Sequence, residues 1–331
     1  MLEHGGNLSS AAEQYGIPLP YWLDLSTGIN PNGYPVPSIP PAVWQRLPLD
    51  DDGLHEVALA YYDARHILAT AGSQAAIQAL PRLRSACHVA MPEVMYLEHA
   101  RNWTQNHHRV TLFSGSPDTA LLNSADVVLL CNPNNPTGEI IPTTKLLEWH
   151  TKLAKRGGWL VIDEAFMDVS PEFSLAPYAH LPGLIILRSL GKFFGLAGAR
   201  VGFVLAQQEL LDQLHELLGP WPLSGPARFI ASHALRNTPW QVSTRKNLNA
   251  GSQQLNRLLK QYGLEPKGQH ALFQWMPHKD AEAWQLHFAR QGIWVRIFPE
   301  WSALRFGLPS ANGWARLEAA LENFSEYGLE D

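Results

Sequence analysis

The sequence predicts an α/β protein with a mostly parallel central sheet in a large domain and a small α+β domain beside it. Three observations predict this. Between residues 67 and 205, short apolar runs alternate with longer amphipathic segments, as expected for buried parallel strands with helices on both faces. A chain of 331 residues, 46% hydrophobic and 17% charged, can bury one large core and a smaller one. Beyond residue 263, strand-like runs are separated by only two helical stretches, the pattern of a compact α+β unit.

The elements follow in order. The first 45 residues are rich in Pro and Gly and lack periodicity, which predicts an arm and loops packed onto other parts. "HILAT", "HVAM", "RVTLF", "DVVLLC", "GWLVID", "GLIILRSL" and "ARVGFVLA" predict strands. Helices are expected through "SQAAIQAL", near 95 to 106, and from Thr143 to Arg156. Residues 207 to 262 predict successive helices, the last a long one through "TRKNLNAGSQQLNRLLKQYG" with Gly263 as its C-cap. "ALFQWM", "GIWVRIF" and "ALRFGL" predict the strands of the small domain, with helices after Lys279 and Ser310. The expected division is 46–262 for the large domain, and 1–45 with 263–331 for the arm and small domain.

Net charge is -5 and no basic run or stripe occurs, which argues against nucleic acid or an anionic membrane as partner and for a small molecule. The N-terminus has no basic segment leading into an apolar one, and no stretch is apolar for long enough to span a bilayer, so a cytoplasmic location is expected. Cys87 and Cys131 are far apart beside strand-like runs, which predicts two inert thiols rather than a disulfide or a metal site. None of the 14 histidines falls in a metal-ligand pattern; nearly all are read as structural or surface residues, and no metal is expected.

The chemistry begins with "RSLGKFFGLAGAR". Lys192 follows "GLIIL" and precedes Phe193, Phe194, Leu196 and Ala197. Burial favours the neutral, nucleophilic amine needed for a Schiff base with a carbonyl; the alternative is a strand-end lysine with packed stem and wet tip. "GWLVIDEAF" runs an apolar strand straight into Asp163. It could cap a turn, or hold a pyridine nitrogen protonated so that pyridoxal phosphate acts as an electron sink. In "AGSQAAI", Gly72, Ser73 and Gln74 stand at a strand-to-helix junction suited to a phosphate, to which Ser189 and Arg200 could add a hydroxyl and a cation. "CNPNNPTGEII" fixes Asn135 between two prolines, with Gly138 for a tight turn; Asn135 could hydrogen-bond the cofactor's phenolic oxygen.

"NPNNPTG", "DEAF" and "SLGKFFGLAGARVG", in this order and spacing, resemble the fold-type I pyridoxal-phosphate enzymes of the aspartate aminotransferase superfamily, over essentially the whole chain. Within it the chain resembles histidinol-phosphate aminotransferases and the L-threonine-O-3-phosphate decarboxylases of cobalamin biosynthesis. The resemblance implies that Lys192 forms the Schiff base, Asp163 partners the pyridine nitrogen and Asn135 meets the phenolic oxygen. Tyr96 in "PEVMYLEH" would stack on the cofactor ring, and Gly72, Ser73, Gln74, Ser189 and Arg200 would form its phosphate cup. Arg305 and Arg296 would bind substrate anions. "HGGN" and "LDLSTGINPNGYP" resemble the decarboxylases, which adds His4, Gly5 and Gly28 to the expected substrate contacts.

Three departures bear on this. Phe166 stands where many aminotransferases have tyrosine, Gly191 where serine or threonine is frequent, and Asn32 where histidinol-phosphate aminotransferases carry a tyrosine that reaches the partner subunit. The last favours a decarboxylase. The implied reaction converts L-threonine O-3-phosphate to (R)-1-amino-2-propanol O-2-phosphate, with a histidinol-phosphate-type aminotransferase as the alternative. The resemblance also implies a homodimer. A regulator or inactive scaffold on this fold is the alternative of another class; intact Lys192 and Asp163, and no basic helix-turn-helix, speak against it.

Overall fold

The structure, a computed structural model, describes residues 5–49 and 51–327. Its strands, numbered along the chain, are β1 (Leu23–Leu25), β2 (Leu68–Ala71), β3 (His88–Pro92), β4 (Arg109–Phe113), β5 (Val127–Cys131), β6 (Trp159–Asp163), β7 (Leu184–Ser189), β8 (Val201–Leu205), β9 (Gly268–His270), β10 (Phe273–Pro277), β11 (Ile293–Phe298) and β12 (Ala303–Gly307). The helices are α1 (Leu8–Tyr15), α2 (Pro41–Gln45), α3 (Leu54–Tyr62), α4 (Ser73–Ala79), α5 (Glu98–Gln105), α6 (Thr119–Ser124), α7 (Thr143–Ala154), α8 (Gln208–Leu218), α9 (Gly225–Arg236), α10 (Thr238–Gln261), α11 (Ala281–Arg290) and α12 (Trp314–Tyr327).

The larger of two compact units comprises Gly33–Asn135 and Ile140–Val242. Its seven-stranded sheet has the order β2-β8-β7-β6-β5-β3-β4. The pairs from β4 through β7 are parallel, and β8 runs antiparallel to β7 and β2, so the sheet is mostly parallel as expected. β5, β7 and β8 are buried at every position, the physical reason their sequences read as unbroken apolar runs. The register pairs Cys131 with Asp163 and Asp163 with Leu187, which brings the carboxyl ends of β5, β6 and β7 side by side. In such sheets, ligands bind outside those ends.

In the smaller unit, a five-stranded sheet has the order β1-β11-β12-β10-β9. Part of the expected arm is therefore strand: Leu23–Leu25 pairs in parallel with Ile293–Val295. The preceding helix α1 packs Ala11 against Trp22 and Ala289, with Leu8, Tyr15, Ile17 and Trp294 around them. Three residues are too short for periodicity to reveal.

Residues 33–45 group with the larger unit and 243–262 with the smaller, whereas the sequence reading set the boundaries at 45 and 262. Tyr34 N–H donates to the Phe194 carbonyl at 2.8 Å, and Gly225 lies so close to Val43 that a Cβ there would meet its carbonyl oxygen at 2.3 Å. Helix α10 is tied to β9 and β10: Ser252 Oγ donates to the His270 carbonyl and Asn256 Nδ2 to Gln274 Oε1. The helix ends as expected, with Gly263 left-handed (φ 77°), its N–H bonded to Lys260 O and Leu264 N–H to Leu259 O. Among the described residues, no helix is long and apolar enough to cross a membrane.

Candidate active site

Asp163 ends β6 with 4% of its surface exposed. Its Oδ1 accepts the Ala165 N–H at 3.0 Å, so it does cap the following turn, and its Oδ2 lies 2.9 Å from Nε2 of His99 on α5. A buried carboxylate must be paired to stay charged. His99, 1% exposed, was absent from the sequence-derived set. Its signal is the spacing of Tyr96 and His99 in "YLEH", three residues apart; their rings meet edge-on at 6.1 Å. Tyr96 precedes α5 rather than lying on it, and burial, then the charges of Glu98 and Asp163, push its hydroxyl well above the ordinary range.

His99, Asp163 and Cys131 could each offer one atom to a metal within 4.8 Å of one another. Burial, then the neighbouring Asp163 charge, holds the Cys131 thiol far above its usual value.

The loop after β5 is built by its asparagines. Asn132 Oδ1 accepts the Ile141 N–H at 2.8 Å while its Nδ2 donates to Ile141 O, closing the loop base. Asn134 Nδ2 donates to the Val94 carbonyl at 2.9 Å. Asn135, half-buried, follows at the carboxyl end of β5. Gly138 has φ 76°, and a Cβ there would sit 2.7 Å from the backbone of Gln269, so both the turn and the close approach require glycine.

Gly72, with φ 70°, leads into Ser73, the first residue of α4. A Cβ at Gly72 would lie 2.6 Å from Nη2 of Arg200, and one at Gly202 would lie 2.4 Å from the Ser73 nitrogen. The structure thus brings Gly72, Ser73 and Arg200 together across the β2–β8 pair. Ser189 ends β7, its Oγ accepting the N–H of Gly191 at 3.2 Å. Gln74 Oε1 accepts the Tyr96 hydroxyl at 3.4 Å, which links this cradle to the aromatic residue expected over the cofactor.

Lys192 is half-buried, and its Nζ stands 5.4 Å from the centre of the Phe166 ring. Phe193 and Phe194 beside it are fully buried. Trp240 stacks on Phe194 at 15° and meets Phe193 edge-on, while Tyr34 packs edge-on to Trp240 at 5.2 Å. The lysine loop is therefore clamped by aromatic residues from the far end of the unit's sequence.

Behind the loop lies a buried ion cluster that sequence reasoning missed. Arg188 on β7 donates to Glu164 Oε2 at 2.6 Å and to Asp168 Oδ1, with Ser174 Oγ donating to Glu164 and Tyr61 to Asp168. Burial raises the Glu164 carboxyl even against Arg188, and Asp168 with Glu164 raises Arg188 despite its own burial. An arginine inside the apolar run "GLIILRSL" was the available signal. The cluster ties the turn after Asp163 to the strand that delivers Ser189.

In the smaller unit, Arg305 on β12 is 7% exposed and donates through Nη2 to the Ser26 carbonyl at 2.7 Å. Burial, then the like charge of Arg296, brings Arg305 down to about 10, still charged at neutral pH. Arg296 faces it directly across β11 and β12. Ser26 is a junction: its Oγ accepts the Gly6 N–H at 2.7 Å and donates to Asp24 Oδ1 at 2.6 Å. A Cβ on Gly5 would lie 2.4 Å from Ser26 O, so the glycines of "HGGN" dock beside the Arg305 partner. Gly28 is buried two residues on; His4 lies outside the described residues.

Pyridoxal phosphate fits the residues present in the larger unit. The cradle that a Cβ on Gly72 would fill suits its phosphate, the His99-paired carboxylate of Asp163 suits a pyridinium N–H, and Lys192 supplies an amine. A family model described as aminotransferase class I and II matches residues 53–322. The sequence is 50% identical to a threonine-phosphate decarboxylase of Pseudomonas aeruginosa over 98% of this chain and 99% of that one. It is 38% identical to a threonine-phosphate decarboxylase of a Sinorhizobium species, over 96% and 97% of the two chains. The fold matches the histidinol-phosphate aminotransferase of Sinorhizobium meliloti, solved with pyridoxal-5'-phosphate, with a TM-score of 0.85 at 19% identity over 98% of this chain and 96% of that one. This chain belongs to the class I and II aminotransferase family of pyridoxal-phosphate-dependent enzymes.

Proposed function

We propose that the protein is a pyridoxal-phosphate-dependent decarboxylase that converts L-threonine O-3-phosphate to (R)-1-amino-2-propanol O-2-phosphate and carbon dioxide, a step that fits cobalamin biosynthesis. The observation that carries the reading is the 50% identity to a threonine-phosphate decarboxylase over the full length, arm and small unit included. Bound pyridoxal phosphate supplies an electron sink for the pair left on Cα when the carboxylate departs.

The chain's own residues divide the remaining work. Gly72, Ser73, Gln74, Ser189 and Arg200 hold the cofactor phosphate through backbone N–H groups, hydroxyls and a guanidinium. Asp163, oriented by His99, keeps the pyridine nitrogen protonated, Asn135 donates to the phenolic oxygen and Tyr96 covers the ring. Phe166 stands at the position where many relatives place a second donor to that oxygen. Arg296 and Arg305, with His4, Gly5 and Gly28, would bind the substrate's anionic groups and fix its orientation. Lys192 holds the proton that is delivered to Cα once carbon dioxide has left.

A homodimer and a cytoplasmic location complete the reading. Exposed Val36, Trp44, Leu47 and Leu49, between residues 36 and 49, and Trp221 support the dimer. The purified enzyme is expected to release carbon dioxide from L-threonine O-3-phosphate without any keto-acid acceptor. No release, together with glutamate-dependent turnover of histidinol phosphate, would establish the aminotransferase reading instead.

A further inference from the structure

One face of the five-stranded sheet carries two cations in direct opposition. The register sets Trp275, Arg305 and Arg296 in a row across β10, β12 and β11, with Phe273 and Phe298 two residues along their strands on the same face. Like charges directly opposite on antiparallel strands repel, and Arg305 is nearly sealed from the water that would screen them. Asp24, the acidic group whose charge bears on Arg305, already accepts the N–H and hydroxyl of Ser26.

Phe298 lies within reach of both. Its ring centre is 5.1 Å from Cζ of Arg296 and 5.9 Å from Cζ of Arg305, both within cation–π reach of about 6 Å. The ring is itself fixed: Trp301 stacks on it at 5.6 Å and 24°, and Trp275 meets it edge-on at 5.2 Å. Phe273 adds a second ring 5.3 Å from Arg305.

We propose that Phe298 is a positioning residue for substrate binding: its ring, braced by Trp275 and Trp301, holds the guanidiniums of Arg296 and Arg305 together as a preformed site for a dianionic phosphate group. The inference rests on the reading of these arginines as substrate-anion contacts. A ring with negative faces offsets the repulsion before the ligand arrives, so less of the binding free energy goes into gathering the cations. An aliphatic side chain of similar volume fills the space without that field.

The test uses the holoenzyme, whose cofactor phosphate already fills the Gly72–Arg200 cradle, with inorganic phosphate as probe at fixed ionic strength. Calorimetric affinity for phosphate, and KM and kcat for L-threonine O-3-phosphate, are compared for wild type, Phe298→Leu, Phe298→Tyr and Arg296→Gln. Phe298→Leu is expected to weaken phosphate about three- to thirtyfold, with the loss falling on KM more than on kcat, while Phe298→Tyr retains near-wild-type affinity. If phosphate binds wild type and weakens in Arg296→Gln but binds Phe298→Leu as tightly as wild type, Phe298 has no such role. If phosphate binds wild type and Arg296→Gln alike, or binds neither, the arginine reading fails and the proposal with it. Equal losses in Phe298→Leu and Phe298→Tyr would also overturn it, since packing alone would then account for the effect.

Discussion

His99 Nε2 lies 2.9 Å from Asp163 Oδ2, and the two side chains are 1% and 5% exposed. The carboxylate expected to face the cofactor nitrogen is thus held from behind by a residue 64 positions away in sequence. Replacing His99 by leucine leaves that oxygen buried without its partner, and a lost bond to a charged group costs about 1.5–3 kcal/mol. Cofactor affinity is therefore expected to fall about ten- to a hundredfold, read by titrating the cofactor-free protein with pyridoxal phosphate. Unchanged affinity would remove His99 from the site.

Gly72→Ala tests the phosphate cradle. Its φ of 70° and ψ of 165° fall in a region almost confined to glycine, which costs an L side chain about 1–3 kcal/mol, and the added methyl would lie 2.6 Å from Arg200 Nη2. The guanidinium must move from the place where a phosphate would bind. Affinity for pyridoxal phosphate is expected to drop at least about tenfold, with a smaller loss for pyridoxal, which lacks the phosphate. Equal losses for both would mean the cradle acts only on stability.

What the sequence disclosed and concealed follows from the range of the contacts involved. Lys192, Asp163 and Asn135 sit in short motifs whose neighbours are chemically telling, and the apolar strands that lead into them are buried at nearly every position. His99, Arg188 and Trp240 act through contacts with residues distant in sequence, and their local signals, such as an arginine inside an apolar run, do not say which partners they meet. The β1 strand was hidden for another reason: three residues in a Pro- and Gly-rich segment pair with β11 about 270 residues later, Leu23 with Ile293. Ser26 and the glycines of "HGGN" become a unit only once that strand is in place.

The Arg188 cluster makes a prediction about stability. Arg188, Glu164 and Asp168 are at most 1% exposed, so removing Glu164 leaves Arg188 with Asp168 as its remaining carboxylate and takes the acceptor from Arg188 Nη1, Ser174 Oγ and the Leu175 N–H, a set of buried bonds whose loss costs about 3–5 kcal/mol. Glu164→Ala should lower the thermal midpoint by on the order of 10 °C. A triple replacement of Glu164, Asp168 and Arg188 by apolar residues of similar volume should recover part of the loss, because no buried ion then remains to be desolvated. If the triple variant is less stable than Glu164→Ala, the cluster adds net stability of its own.

Asp52 supplies a prediction with a sign. Its carboxylate accepts Nε and Nη2 of Arg228 at 2.6 and 2.8 Å and the Leu54 N–H at 3.0 Å, joining the entry of α3 to α9. Burial pushes the carboxyl up, but the Arg228 and Leu54 hydrogen bonds and the Arg228 charge together outweigh it and hold it below its ordinary 3.8. A folded-state value below the unfolded one adds stability that is fully present above about pH 4 and is lost as pH falls through the folded value. Asp52→Asn should therefore lower the urea midpoint at pH 7, and the gap to wild type should narrow as the pH is taken from 4 toward 2. A gap that stays constant or widens on acidification would mean that the ionised carboxylate is not what holds Arg228.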